Sequence, residues 1–175
     1  NIALGINAGG LVGRQSDGAS IYRSWASGAV VGFANVGGLV GHQTGGSRIG
    51  QSWATGPVAG QTVVGGLVGE GSGGSTIDRS WAGGPVVVSG SIGGGLVGLL
   101  QGGGAVRQSY AIGAVVGSGS GMGGLAGSVG VGAVVDLSYW DPGTTGRTAG
   151  AGTIDGTFNG IGLSTTDLQA GLPDG

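Results

Sequence analysis

Gly37-Gly38-Leu39-Val40-Gly41 decides the fold, because the phrase returns at a nearly fixed interval. It stands again at Gly9 to Gly13, Gly65 to Gly69 and Gly94 to Gly98, and with one change as Gly123-Gly124-Leu125-Ala126-Gly127. Its leucines, Leu11, Leu39, Leu67, Leu96 and Leu125, are spaced by 28, 28, 29 and 29 residues. Self-similarity at such a period marks a stacked repeat architecture.

Working outward from each leucine, a branched residue follows ten positions later: Ile21, Ile49, Ile77, Val106 or Val135. Four further on comes an aromatic, Trp25, Trp53, Trp81, Tyr110 or Tyr139, always preceded by serine. Alanine follows it at Ala26, Ala54, Ala82 and Ala111, until Trp140 breaks the column. A third segment holds Val30, Val58, Val86 and Val115, and the extra residue of the longer repeats falls after it. An insertion confined to one junction marks a surface corner. Three short strand-like segments and three Gly/Ser corners predict one coil of a parallel β-helix. The expected fold is all-β, a single-stranded β-solenoid of about five coils over residues 1–140, with coils stacked about 4.8 Å apart. The glycines argue against a helical solenoid, each costing about 1 kcal/mol per helix position relative to alanine.

Composition supports this reading. Glycine supplies 49 of 175 residues, about four times its usual share. Glycine-rich disorder is depleted in Val, Leu and Ile, whereas here those residues recur in register. The chain carries six arginines and no lysine, and its net charge is −2. That gives no basic footprint for nucleic acid. No apolar run approaches the roughly 20 residues that span a bilayer, so no membrane insertion is expected. With no cysteine there is no disulfide framework and no thiolate metal site. Ile2 precedes Leu11 by nine, as Val30 precedes Leu39. The chain thus starts inside a repeat, which suggests a fragment of a longer protein or a first edge covered by something else.

Column composition predicts side-chain direction. Tyr22, Gly50, Asp78, Arg107 and Asp136 form a mostly polar column, as do Arg23, Gln51, Arg79, Gln108 and Leu137. Both should face water. Period-two alternation then sends Ser80 and Ala82 inward and Trp81 outward. The aromatics Trp25, Trp53, Trp81, Tyr110 and Tyr139 become an exposed ladder. A buried aromatic file is the alternative, since Trp and Tyr are commonly well buried. Asp78, Arg107 and Asp136 share one position in consecutive coils, which predicts a structural ion ladder. Residues 141–175 break the pattern and are the expected irregular cap. Asp141-Pro142-Gly143 reads as a turn, and Ser164 as the N-cap of a short helix.

The phrase Gly-Gly-Leu-Val-Gly, followed by Ile-x-x-Ser-(Trp/Tyr)-Ala-x-Gly, resembles the GLUG repeat family across nearly the whole chain. Ser138-Tyr139-Trp140-Asp141 through Gly162-Leu163-Ser164-Thr165-Thr166 is similar to the segment that often follows such arrays. The resemblance implies a β-solenoid stalk on or outside a bacterial cell. GLUG arrays occur in filamentous-haemagglutinin-like adhesins exported by two-partner secretion, and in some proteases outside their catalytic domains. It transfers no catalytic residue. The Trp-rich, Lys-free pattern departs from the family's usual Tyr-rich, Lys-containing one.

Residue chemistry points away from catalysis. His42 is the lone histidine, its column (Arg14, Glu70, Leu99, Ser128) varies like solvent-facing surface, and it lacks an obvious acidic neighbour. Asp78 and Asp136 should lie about 9.6 Å apart, within glycosidase range, but Arg107 between them would pair with both. The glycine phrases lack the lysine and following helix of a phosphate loop. Asp141 and Asp155 read as turn residues rather than cation ligands, and Thr44, Thr55, Thr62 and Thr76 share no column that could bind ice. The expectation is a non-enzymatic structural and adhesive module, extracellular or on a bacterial surface, without cofactor or metal. Its expected partners are copies of itself, neighbouring domains of a longer chain, glycans or a host surface. A head-to-tail filament subunit and a glycan-binding solenoid using the aromatic ladder are the alternatives.

Overall fold

Among the described residues, every strand hydrogen-bonds to the strand one winding away and none to its neighbour in sequence. The computed structural model of the chain describes residues 5–171; Ile2 and the last residues of the expected cap lie outside them. All pairings are parallel and in register, so Leu39, Leu67, Leu96 and Leu125 pile up one strand apart, fully buried. This is the expected β-solenoid.

A winding contains five short strands where the spacing predicts three. The second winding shows them as Ala34–Gly37, Val40–Gln43, Arg48–Gly50, Trp53–Ala54 and Val58–Gly60. Their equivalents make five sheets, here numbered first to fifth in that order, with five, six, six, six and four strands. Two of the three expected segments are each folded in half. One bends at Gly-Leu, where the amides of Leu39 and Val40 both donate to the Leu67 carbonyl at 2.9 and 3.1 Å. The other bends at Arg23, Gln51, Arg79, Gln108 and Leu137, all non-glycine residues at φ of 44–49°. That left-handed backbone ends the extended run.

Glycine is required where backbones touch. A Cβ on Gly38 would overlap the Gly66 carbonyl oxygen and press on the Ala54 methyl. At the corner before the third sheet, Gly46, Gly74 and Gly103 hold φ of 70–80°, which side chains disfavour. The backbones of the first two sheets meet at glycines such as Gly41 and Gly69. The interior is accordingly divided into two clusters: the Leu, Ile and Ala files on one side, and Val30, Val36, Val58, Val64, Val86, Val88, Val115 and Met122 on the other.

Serine before each aromatic does more than save space. The hydroxyls of Ser52, Ser80, Ser109 and Ser138 accept from the amides of Ser24, Ser52, Ser80 and Ser109 at 3.1–3.3 Å. Each hydroxyl also donates to the carbonyl two residues back, as Ser80 does to Asp78 at 2.8 Å. The left-handed residue displaces the backbone acceptor, and the hydroxyl replaces it.

Stacking continues past Trp140. Ala151–Ile154, Thr157–Phe158 and Ile161–Gly162 form a partial sixth winding over the second, third and fourth sheets. The segment expected to be irregular is therefore half a coil, with helix α1 (Pro142–Thr145) before it and α2 (Thr165–Ala170) after it. Trp140 takes the inward alanine position at 7% exposure. Its ring packs at 6.1 Å from Phe158, which occupies the isoleucine column. Together they seal the larger cluster. Arg147 closes the fifth sheet: its guanidinium donates to the carbonyls of Val115 and Gly117 at 3.0 and 2.8 Å. Those are edge groups that a further strand would satisfy.

At the opposite end Leu11 is 50% exposed, whereas Leu39 above it is buried. Leu67→Ala should therefore cost about 3 kcal/mol and Leu11→Ala well under that, because only the first opens a cavity. Ser80→Ala should cost about 2 kcal/mol by stranding the Ser52 amide. Urea unfolding of the three variants measures both.

Candidate functional site

The fourth sheet is two residues wide, and its parallel register sets Trp25 over Trp53, Trp81 and Tyr110. Alanine on one side and serine on the other point inward, which leaves the aromatic no direction but out. The rings stack at centroid distances of 5.5, 6.2 and 5.7 Å with interplanar angles of 8°, 6° and 2°. Trp25 is 61% exposed, and Trp53, Trp81 and Tyr110 are half-buried by one another.

Tyr139 does not join the exposed strip. It is in register with Tyr110 but only 2% exposed. The sixth winding passes beyond it, with Ile161 next in its file. The strip is thus four rings long and ends at a hollow of about 480 Å³ lined by Tyr110, Ile112, Asp141, Thr165 and Leu168 among others. Burial holds the Tyr110 phenol above its ordinary value.

Asp141 fixes the far wall of this hollow. One carboxylate oxygen caps α1, accepting from the amides of Gly143 and Thr144 at 2.8 and 3.2 Å. The other accepts from the Thr165 hydroxyl at the start of α2. Burial pushes this carboxyl up, but the Thr165 hydroxyl and the two amides stabilise the ionised form more, and it titrates below the usual value. Both oxygens are engaged by the chain itself, as expected of a turn-forming aspartate.

Asp78, Arg107 and Asp136 do stand in one file. They do not form an ion-paired ladder. Asp78 pairs with the adjacent Arg79 at 3.5 Å, and among the described residues Arg107 and Asp136 take part in no ion pair within 4 Å. Exposed side chains gain too little from such contacts to be held in line.

His42 does have an acidic neighbour, contrary to the sequence expectation. Glu70, one winding on in the same file, comes within 3.9 Å of Nε2. The Ser72 hydroxyl lies 3.2 Å from the same nitrogen, and Gln101 donates to Glu70 at 2.9 Å. A nucleophile relay needs the hydroxyl and the acid on opposite ring nitrogens; here both face one. Among the described residues no group of three or more His, Cys, Asp or Glu is placed to hold a metal ion.

Compared with models of known families and with curated proteins, the chain matches none.

The Asp141 linkage carries a pH dependence. Its folded pKa is depressed, so its contribution is complete above the unfolded carboxylate value and is lost as pH falls through the folded one. Urea midpoints measured across that acid range should drop more steeply for the parent chain than for Asp141→Asn.

Proposed function

We propose that the chain is a structural and adhesive module of a bacterial secreted or cell-surface protein, a rigid rod that presents the aromatic strip as its contact surface. The observation that carries this reading is the stack Trp25-Trp53-Trp81-Tyr110, held parallel and outward by the register of the sheet beneath it. Rings ordered before any encounter lose little entropy on binding, and flat aromatic faces suit sugar rings or a neighbouring protein. Five windings at strand spacing give a rod on the order of 24 Å long. The GLUG-like phrase supports a bacterial surface origin and a non-enzymatic role. No helix among the described residues is long and apolar enough to cross a membrane.

A filament subunit is the second reading, favoured by parallel, in-register strands that stack without an intrinsic limit. Head-to-tail growth needs two open faces, and Trp140, Phe158 and Arg147 occupy the face beyond the last full winding, which counts against an endless stack.

The stalk reading expects a particle that resists proteases and stays monomeric at high concentration in size-exclusion chromatography and electron microscopy; fibres would favour the second reading. Trp53→Ala and Trp81→Ala should keep the fold by circular dichroism and lose signal on glycan arrays and host-cell surfaces. Unchanged binding in both variants removes the strip as the contact surface.

A further inference from the structure

The outer face of the third sheet is a trough of about 630 Å³ that neither the core nor the aromatic strip uses. Its floor is the backbone at Ile21, Ile49 and Ile77, whose side chains point into the rod. Two outward files form its walls. One runs Ser20, Arg48, Thr76, Ala105; the other runs Tyr22, Gly50, Asp78, Arg107. The lining spans four windings, about 14 Å along the rod by strand spacing.

Charge is concentrated here. Arg23, Arg48, Arg79 and Arg107 are four of the six arginines, all in the third sheet or the corner that follows it. Asp78 and Asp136 are the acidic residues of those same positions, which leaves a surplus of two positive charges on a chain of net charge −2. Two of the arginines are committed: Arg23 donates to Gln51 at 3.0 Å and lies over the Tyr22 ring, and Arg79 donates to Gln108 at 3.0 Å. The other two line the trough. Among the described residues neither the Arg48 nor the Arg107 guanidinium has a hydrogen-bond or ion-pair partner.

We propose that this trough binds an acidic polysaccharide lying along the rod, its carboxylate or sulfate groups on Arg48 and Arg107. Guanidinium matches both anions as a fork of parallel donors. Asp78, Thr76 and Ser20 meet the sugar hydroxyls, which both donate and accept. The exposed Tyr22 ring leans over Gly50, where an added Cβ would come within 3.2 Å of it, and its phenol adds a hydroxyl at that end of the trough. A peptide fits this surface less well. Strand addition uses an unpaired edge, whereas the trough is the outer face of four strands of a six-stranded sheet, only one of which, Ser20–Tyr22, lies at its edge. Its walls carry hydroxyl, guanidinium, carboxylate and phenol groups set between the small residues Gly50 and Ala105. A polyphosphate chain would meet Asp78 without hydroxyl donors to offer it. The proposal does not depend on the aromatic strip, which belongs to the fourth sheet.

Calorimetric titration of the whole chain with oligogalacturonate, dextran sulfate, neutral dextran and poly-glutamate tests it. Oligogalacturonate or dextran sulfate should bind, neutral dextran should not, and added salt should weaken the complex. Which of the two binds tells carboxylate from sulfate. Arg48→Gln and Arg107→Gln should each weaken binding about tenfold, the loss of one charge-assisted hydrogen bond, with unchanged circular dichroism. Any of four outcomes overturns the proposal: no acidic glycan binds, dextran binds equally, poly-glutamate binds equally, or both arginine variants bind like the parent. Binding lost in Trp53→Ala but kept in the arginine variants places the ligand on the strip and overturns it as well.

Discussion

Main-chain hydrogen bonds between successive windings govern everything else in this molecule. They are parallel and in register, so each residue must tolerate a copy of its own position about 4.8 Å above and below. Leucine, isoleucine and valine satisfy this condition inside, where like side chains nest. Glycine satisfies it where backbones meet, as at Gly38 beneath Gly66. Among the five repeats, the one place where length varies is the corner between the fifth sheet and the next first sheet. There Gln61 and Thr62 become Ser89, Gly90 and Ser91 without disturbing the pairs on either side.

Such a ladder has no intrinsic end, and the chain ends it with side chains instead of backbone. Trp140 and Phe158 fill the space that the next leucine and isoleucine would occupy. Arg147 supplies donors where a strand is missing. Asp141 ties both short helices to the last full winding. These residues break the columns, and the break is their signal: a tryptophan in an alanine file and an arginine in a glycine-rich stretch.

Much of this was legible in the sequence, because stacking gives every member of a column the same surroundings. The leucine file, the inward Ser and Ala around Trp81 and the corner that absorbs insertions follow from column composition alone. The fivefold division of the winding does not. Arg23, Gln51, Arg79, Gln108 and Leu137 share a left-handed backbone but no side-chain character that announces it. The hydroxyl relay was hidden for the same reason, since a small inward serine looks alike whether it fills space or carries a bond. His42 and Glu70 differ by one period, so their meeting was available from the repeat arithmetic. A variable column reads as indifferent surface, and that obscured the pair. Tyr139 fits its column, and the extra half-winding that passes beyond it is something no repeat predicts.

The plug beyond the last full winding also sets how the rod takes a load. Stability in a stacked repeat is mostly nearest-neighbour, so a pull on α2 passes first to Asp141 and Arg147, whose bonds tie the half-winding to the sheets beneath it. Trp140 lies deeper, buried in the core with Phe158 packed on it. Force therefore meets polar ties before it reaches the aromatic wedge, and the wedge acts as a brake on unravelling.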